Sequence, residues 1–183
     1  MTGGRVDSIN GIRYSHPDLM ADARGSFLKY FPLKDIKDSL DSIAISINPN
    51  PGTIRGLHFQ IEPFAEEKLI TCIQGSIFDV AVDLRPESST FGKWTSFELS
   101  STNSTQIYLP KGLAHGFQTL VPNTIIHYSL SSIYSLEHSF SIDPFGDLGI
   151  RWPHDVQAVS DRDMNGISLS SAGKKYADSL KRS

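Results

Sequence analysis

Short runs of β-branched and aromatic residues, broken by clusters of Gly, Pro, Asn and Ser, dominate the chain. Eight stand out: Ile43 to Ile47, Ile54 to Ile61, Lys68 to Ile73, Ser76 to Leu84, Trp94 to Leu99, Thr105 to Leu109, Gly116 to Leu120 and Thr124 to Ser131. Strands of this length, with turn residues at this spacing, predict an antiparallel sandwich or barrel. Helical signal is confined to the ends. Pro32 to Leu40 carries charges at helix-surface spacing, and Ala172 to Leu180 follows a cap at Ser171. The expected fold is all-β, a double-sheet β-barrel with short peripheral helices.

Alternation within the runs adds chemistry. In Ser76 to Leu84, Phe78, Val80, Val82 and Leu84 point one way, and Ile77, Asp79, Ala81 and Asp83 the other. Ile54, Gly56, His58 and Gln60 share a face by the same rule, as do Ile126, Tyr128 and Leu130. Polar groups thus recur on single faces of apolar strands. Either Asp79 and Asp83 face water, or the barrel encloses a polar lumen.

Composition narrows the class. The 183 residues suit one domain, with a core from about 22 to 163 and a tail from 164 to 183. Hydrophobic residues make up 39% and are spread throughout, which excludes a disordered chain. A formal charge of −3 supplies no basic face for DNA or RNA, so no nucleic-acid partner is expected. No apolar run approaches the ~18 residues of a spanning helix, and Met1 to Tyr14 has no secretory apolar region. A single cysteine, Cys72, forms no internal disulfide, so a cytoplasmic location without membrane attachment is the expectation.

Two motifs carry the functional signal. Pro110-Lys111-Gly112-Leu113-Ala114-His115 reads P-x-G-x-x-H, and Gly52 stands six residues before His58. Together they resemble the paired motifs of the cupins, small jelly-roll barrels whose histidines point into the lumen. Metal-binding cupins need a second imidazole where His58-Phe59-Gln60 has Gln60, and two histidines are too few ligands, so no metal is expected.

A wider set of segments is more specific. It comprises Arg55-Gly56-Leu57-His58-Phe59-Gln60, Glu67-Lys68-Leu69, Phe78-Asp79-Val80-Ala81-Val82-Asp83, Pro110 to Phe117, and Ser160-Asp161-Arg162-Asp163. With Arg24-Gly25-Ser26-Phe27 upstream, their order and spacing resemble the dTDP-4-dehydrorhamnose 3,5-epimerase family over about Asp22 to Asp163. The resemblance implies a cupin-like jelly roll acting on a nucleotide sugar, without a cofactor. It implies His58 as the base, Asp163 as the carboxylate orienting it, Lys68 beside the reacting carbonyl, and Tyr128 as the acid on the other face of the sugar. It further implies substrate contacts from Arg55, Gln60, His115 and Tyr134, and a homodimer in which Arg24 and Phe27 reach the neighbouring subunit's pocket.

These residue types fit the chemistry. Carbons C3 and C5 of a 4-keto sugar flank the carbonyl, so their protons are acidic. A neutral histidine backed by a carboxylate is a good base near neutral pH. An ammonium near the C4 oxygen would stabilise the enolate, and a tyrosine would return a proton. Departures gather on the nucleotide side: Lys29 stands where the family has Glu, and Ser42 to Ile47 lacks the family's Gln and Asn. A C3- or C5-only epimerase on another nucleoside diphosphate sugar therefore stays open. So do a metal-dependent cupin, which would ligate through His58 and His115, and a non-catalytic carbohydrate-binding cupin.

Overall fold

A computed structural model describes residues 3–30 and 40–182. The eight predicted runs become β5 (Ser42–Asn48), β6 (Ile54–Gln60), β7 (Lys68–Gln74), β8 (Ser76–Asp83), β9 (Lys93–Ser100), β10 (Gln106–Leu109), β11 (Leu113–Thr119) and β12 (Thr124–Leu130). Four short strands precede them: β1 (Gly4–Arg5), β2 (Arg13–Ser15), β3 (Asp18–Asp22) and β4 (Gly25–Lys29). After them come β13 (Ser139–Ser141), a one-turn helix α1 (Asp161–Met164) and α2 (Leu169–Leu180). The helix expected over Pro32 to Leu40 lies, Leu40 apart, outside the described residues.

Two sheets face each other as a jelly roll. One runs β1-β9-β8-β11-β6-β13, the other β2-β10-β7-β12-β5, while β3 and β4 form a separate hairpin. Between the sheets lies an apolar cluster. Ile77, Ala81, Leu99, Leu113 and Phe117 come from the first sheet, and Ile70, Cys72, Ile107, Leu109 and Ile126 from the second. A second cluster covers the outer face of the first sheet, where Leu57, Phe59, Val80, Val82, Trp94 and Ala114 pack under Ile142, Leu148, Leu169, Ala172 and Tyr176. The tail after Asp163 is therefore part of the core.

This second layer decides between the two readings of β8. Both faces of the strand are covered, and Asp79 and Asp83 are each 0% exposed. Neither faces water. Asp83 accepts from Arg85, Ser88 and Thr90, which ties the β8–β9 loop to the barrel end. The cap of α2 also differs from expectation. Ser168, not Ser171, caps the helix, and its hydroxyl accepts from the Ser171 N–H. Starting earlier brings Leu169 into the outer cluster, where it is buried.

A bulge in β6 changes which residues look inward. His58 pairs with His115, but Phe117 pairs with Arg55, so β6 holds one residue more than β11 across this interval. The predicted face of Ile54, Gly56, His58 and Gln60 is broken there, and Arg55 joins His58 at the lumen. Gly56 makes the bulge feasible. Its φ is +110°, and a Cβ would stand 2.6 Å from the His115 carbonyl oxygen and 2.7 Å from Gly116 Cα. Gly56→Ala is accordingly expected to destabilise the fold by ~2 kcal/mol or more, read as a lowered urea midpoint at unchanged slope.

Candidate active site

Six polar or basic side chains from both sheets meet at one open cavity of about 360 Å³, within the ~300–1,000 Å³ range of small-molecule sites. Arg55 and His58 come from β6 and His115 from β11, in the first sheet; Lys68 comes from β7, Tyr128 from β12 and Ser46 from β5, in the second. Larger grooves lie along α2 and at the β3–β4 hairpin. Neither combines a histidine–carboxylate pair with a facing tyrosine.

Each basic group at the cavity has its own acceptor behind it. His58 Nε2 lies 2.7 Å from Asp163 Oδ1, with the imidazole 41% exposed and the carboxylate 4%. Asp163 also accepts from the Ser141 hydroxyl at 2.7 Å and from the Gly56 N–H at 3.2 Å. Burial alone would raise its pKa, but the bonds from His58, Ser141 and Gly56 outweigh burial and hold it at about 2. Ser160 caps α1 and positions this carboxylate, so the segment is a capped helix start and a histidine partner at once. Deeper in the lumen, His115 Nε2 lies 2.7 Å from Asp79 Oδ2, both almost wholly buried. The Arg55 Nε donates to Asn48 Oδ1 at 2.8 Å, and the Lys68 ammonium pairs with Glu66.

Tyr128 has a different setting. It is half-buried, with its ring edge-on to His115 at 6.1 Å. Burial pushes its hydroxyl well above the ordinary tyrosine value, the Asp79 charge adds to this, and Arg55 only partly offsets it. Tyr128 therefore carries its proton at neutral pH, as a general acid must.

Five of the expected residues, His58, Lys68, Tyr128, Arg55 and His115, line the cavity, and Asp163 stands behind His58. Gln60 does not line it. Its amide donates to the Phe64 and Ile133 carbonyls and accepts from the Ser135 N–H, stitching two loops together. Tyr134 stands outside the lining and is exposed, its hydroxyl accepting from Arg162. Arg24 and Phe27 lie exposed on the β3–β4 hairpin, where Arg24 pairs with Asp22, so within one chain they do not join the site.

Three participants escaped the sequence reading, and a fourth, Asp79, stood there only as a candidate for a polar lumen. Asn48 extends β5 one residue beyond the expected run and is fully buried under Arg55. Asp79 was traceable, because it shares a face with Ala81 of the inner cluster. Glu66 stands two residues before Lys68, the spacing of one strand face. Ser141 had no local signal.

A jelly roll whose lumen sets a histidine–carboxylate pair and a lysine against a protonated tyrosine defines a cupin-type barrel equipped for acid–base chemistry. The dTDP-4-dehydrorhamnose 3,5-epimerase family model matches residues 7–171, and the chain belongs to that family. It is 40% identical over 171 residues to the dTDP-4-dehydrorhamnose 3,5-epimerase of Sinorhizobium fredii, covering 88% of this chain and 87% of the relative. Among solved structures, the Bacillus anthracis dTDP-4-dehydrorhamnose 3,5-epimerase with TDP and PPi bound superimposes with a TM-score of 0.82 at 39% identity, covering 86% and 94% of the two chains. The Legionella pneumophila dTDP-6-deoxy-D-glucose-3,5-epimerase in complex with dTDP-4-keto-L-rhamnose gives 0.83 at 34%, covering 90% and 92%.

The depressed pKa of Asp163 has a measurable consequence. A carboxyl held at about 2 against an ordinary 3.8 contributes stability that is present above pH 3.8 and lost as pH falls through about 2. The contribution is on the order of 2 kcal/mol. Asp163→Asn should flatten the dependence of the urea midpoint on pH in that window. An unchanged curve would assign the acid sensitivity elsewhere, with the buried Asp83 next in line.

Proposed function

We propose that this protein epimerises a nucleotide-linked 4-keto-6-deoxy sugar, converting dTDP-4-dehydro-6-deoxy-glucose to dTDP-4-dehydro-L-rhamnose. One observation carries the reading: His58 and Tyr128 belong to opposite sheets and line the same cavity. A sugar ring held between them presents one face to a base and the other to an acid, which inversion at carbon requires.

The steps follow from the residues. Neutral His58, oriented by Asp163, takes the proton from C3 or C5, and the electron pair moves toward the carbonyl. Negative charge grows on the C4 oxygen, where the Lys68 ammonium stabilises it. Tyr128 then delivers a proton to the same carbon from the opposite face. Arg55 supplies positive charge for the diphosphate, and His115 lines the cavity beside it. With Gln60 standing where a second imidazole of the first motif would be, His58 and His115 are too few ligands for a tight transition-metal site.

A homodimer is part of this reading. Leu19, Met20 and Phe27 on the hairpin, and Ile43, Ile45 and Ile47 on the edge strand β5, are all more than half exposed. Exposed apolar edges of this kind call for cover, and a second copy would bring Arg24 and Phe27 to the neighbouring cavity. The lone Cys72 is buried and unpaired, in keeping with a reducing cytoplasm. No helix among the described residues is long and apolar enough to cross a membrane.

The test is proton exchange in heavy water with dTDP-4-keto-6-deoxyglucose. Deuterium should enter at C3 and C5, and His58→Ala should slow entry by ~10²–10⁴. Tyr128→Phe should retain exchange while losing inversion, because the base remains and the opposite-face acid does not. Exchange at one carbon alone would make the enzyme a mono-epimerase; none, with this or any other nucleoside diphosphate carrier, would favour a binding module. Light scattering should give twice the 20.2 kDa chain mass. A monomer would remove Arg24 and Phe27 from the site.

A further inference from the structure

Glu66 and Glu67 are neighbours with different work. Alternation along β7 turns Ile70 and Cys72 inward with Lys68, and Leu69 and Thr71 outward. In the segment just before β7, Glu67 accepts from the Tyr108 hydroxyl at 2.6 Å on the outer side, and Glu66 meets the Lys68 ammonium. The Lys68 and Glu66 side chains are only 11% and 9% exposed. This is a pair enclosed at the cavity wall, unlike the solvated surface pairs that contribute little.

We propose that Glu66 is a positioning residue of the reaction, fixing the Lys68 ammonium where the C4 oxygen gains charge. The inference rests on the reading of Lys68 as the enolate-stabilising group. A lysine head rides on a flexible four-carbon stem, and a donor stabilises a developing oxyanion best when it is already in place. The carboxylate uses one of the three ammonium protons and leaves the others for the cavity. Among the described residues, the other carboxylates and the amide behind the cavity each serve a different group. Asp163 is bonded to His58, Asp79 to His115, and Asn48 to Arg55.

Because the carboxylate also offsets part of the lysine charge, orientation and charge must be separated. Glu66→Ala removes the acceptor and is expected to lower kcat ~10–100-fold with KM within ~3-fold. Glu66→Gln keeps an acceptor oxygen and is expected to recover most of that loss. In a Lys68→Met background, Glu66→Ala should cost nothing further, since its route to the reaction is already gone. Binding of TDP by calorimetry verifies that each variant is folded; should the alanine variant not fold, Glu66→Met, of similar size without an acceptor oxygen, carries the same comparison. Wild-type kcat in Glu66→Ala, equal losses in both backgrounds, or a glutamine variant no better than alanine would overturn the role of Glu66 alone. Absence of exchange at C3 and C5 with the wild-type protein would overturn the reading of Lys68, and the role of Glu66 with it.

Discussion

A carboxylate sealed behind a half-exposed imidazole organises this molecule. Asp163 is fixed by the Ser160-capped turn, bonded to Ser141 on β13 and to the Gly56 amide in the β6 bulge, and aimed at His58. An anion this deep is tolerable only with several donors around it. Satisfying it therefore fixes the backbone of β6, the position of β13 and the tautomer and tilt of the histidine together. The bulge that Gly56 permits also turns Arg55 inward, so the imidazole and the neighbouring guanidinium share one geometric origin.

The same rule recurs around the lumen. Arg55, His58, Lys68 and His115 each meet an acceptor of their own, three of them carboxylates. A guanidinium and an ammonium enclosed without counter-groups would be costly in a medium that screens poorly. Compensation from behind keeps the open side of each group available. Asp79 shows the limit of the scheme: one of its oxygens bonds His115 while the other, Oδ1, is buried without a partner among the described residues.

Much of this was legible in the chain. Runs of β-branched and aromatic residues between turn clusters located all eight central strands, and the family resemblance carried by motifs along them named five of the cavity-lining residues. Three kinds of feature were hidden. The bulge at Gly56 breaks the parity on which face assignment depends, so Arg55 seemed to face away from His58. Gln60 looked like a site residue by motif, yet its bonds to loop backbones depend on segments that meet it only in space. The water-facing alternative for Asp79 and Asp83 failed because the second covering layer, supplied by Leu169, Ala172 and Tyr176, lies far along the chain.

That distance has a temporal side. His58 and Asp163 are separated by 105 positions, and the strands between them must all be laid down before the two can touch. A chain emerging from a ribosome N-terminus first can pair β6 with β11 well before Asp163 exists outside the exit tunnel. Until then the imidazole has no partner and the outer face of the first sheet has no cover. The His58–Asp163 pair thus forms late in synthesis, with the same closing segment that completes the core.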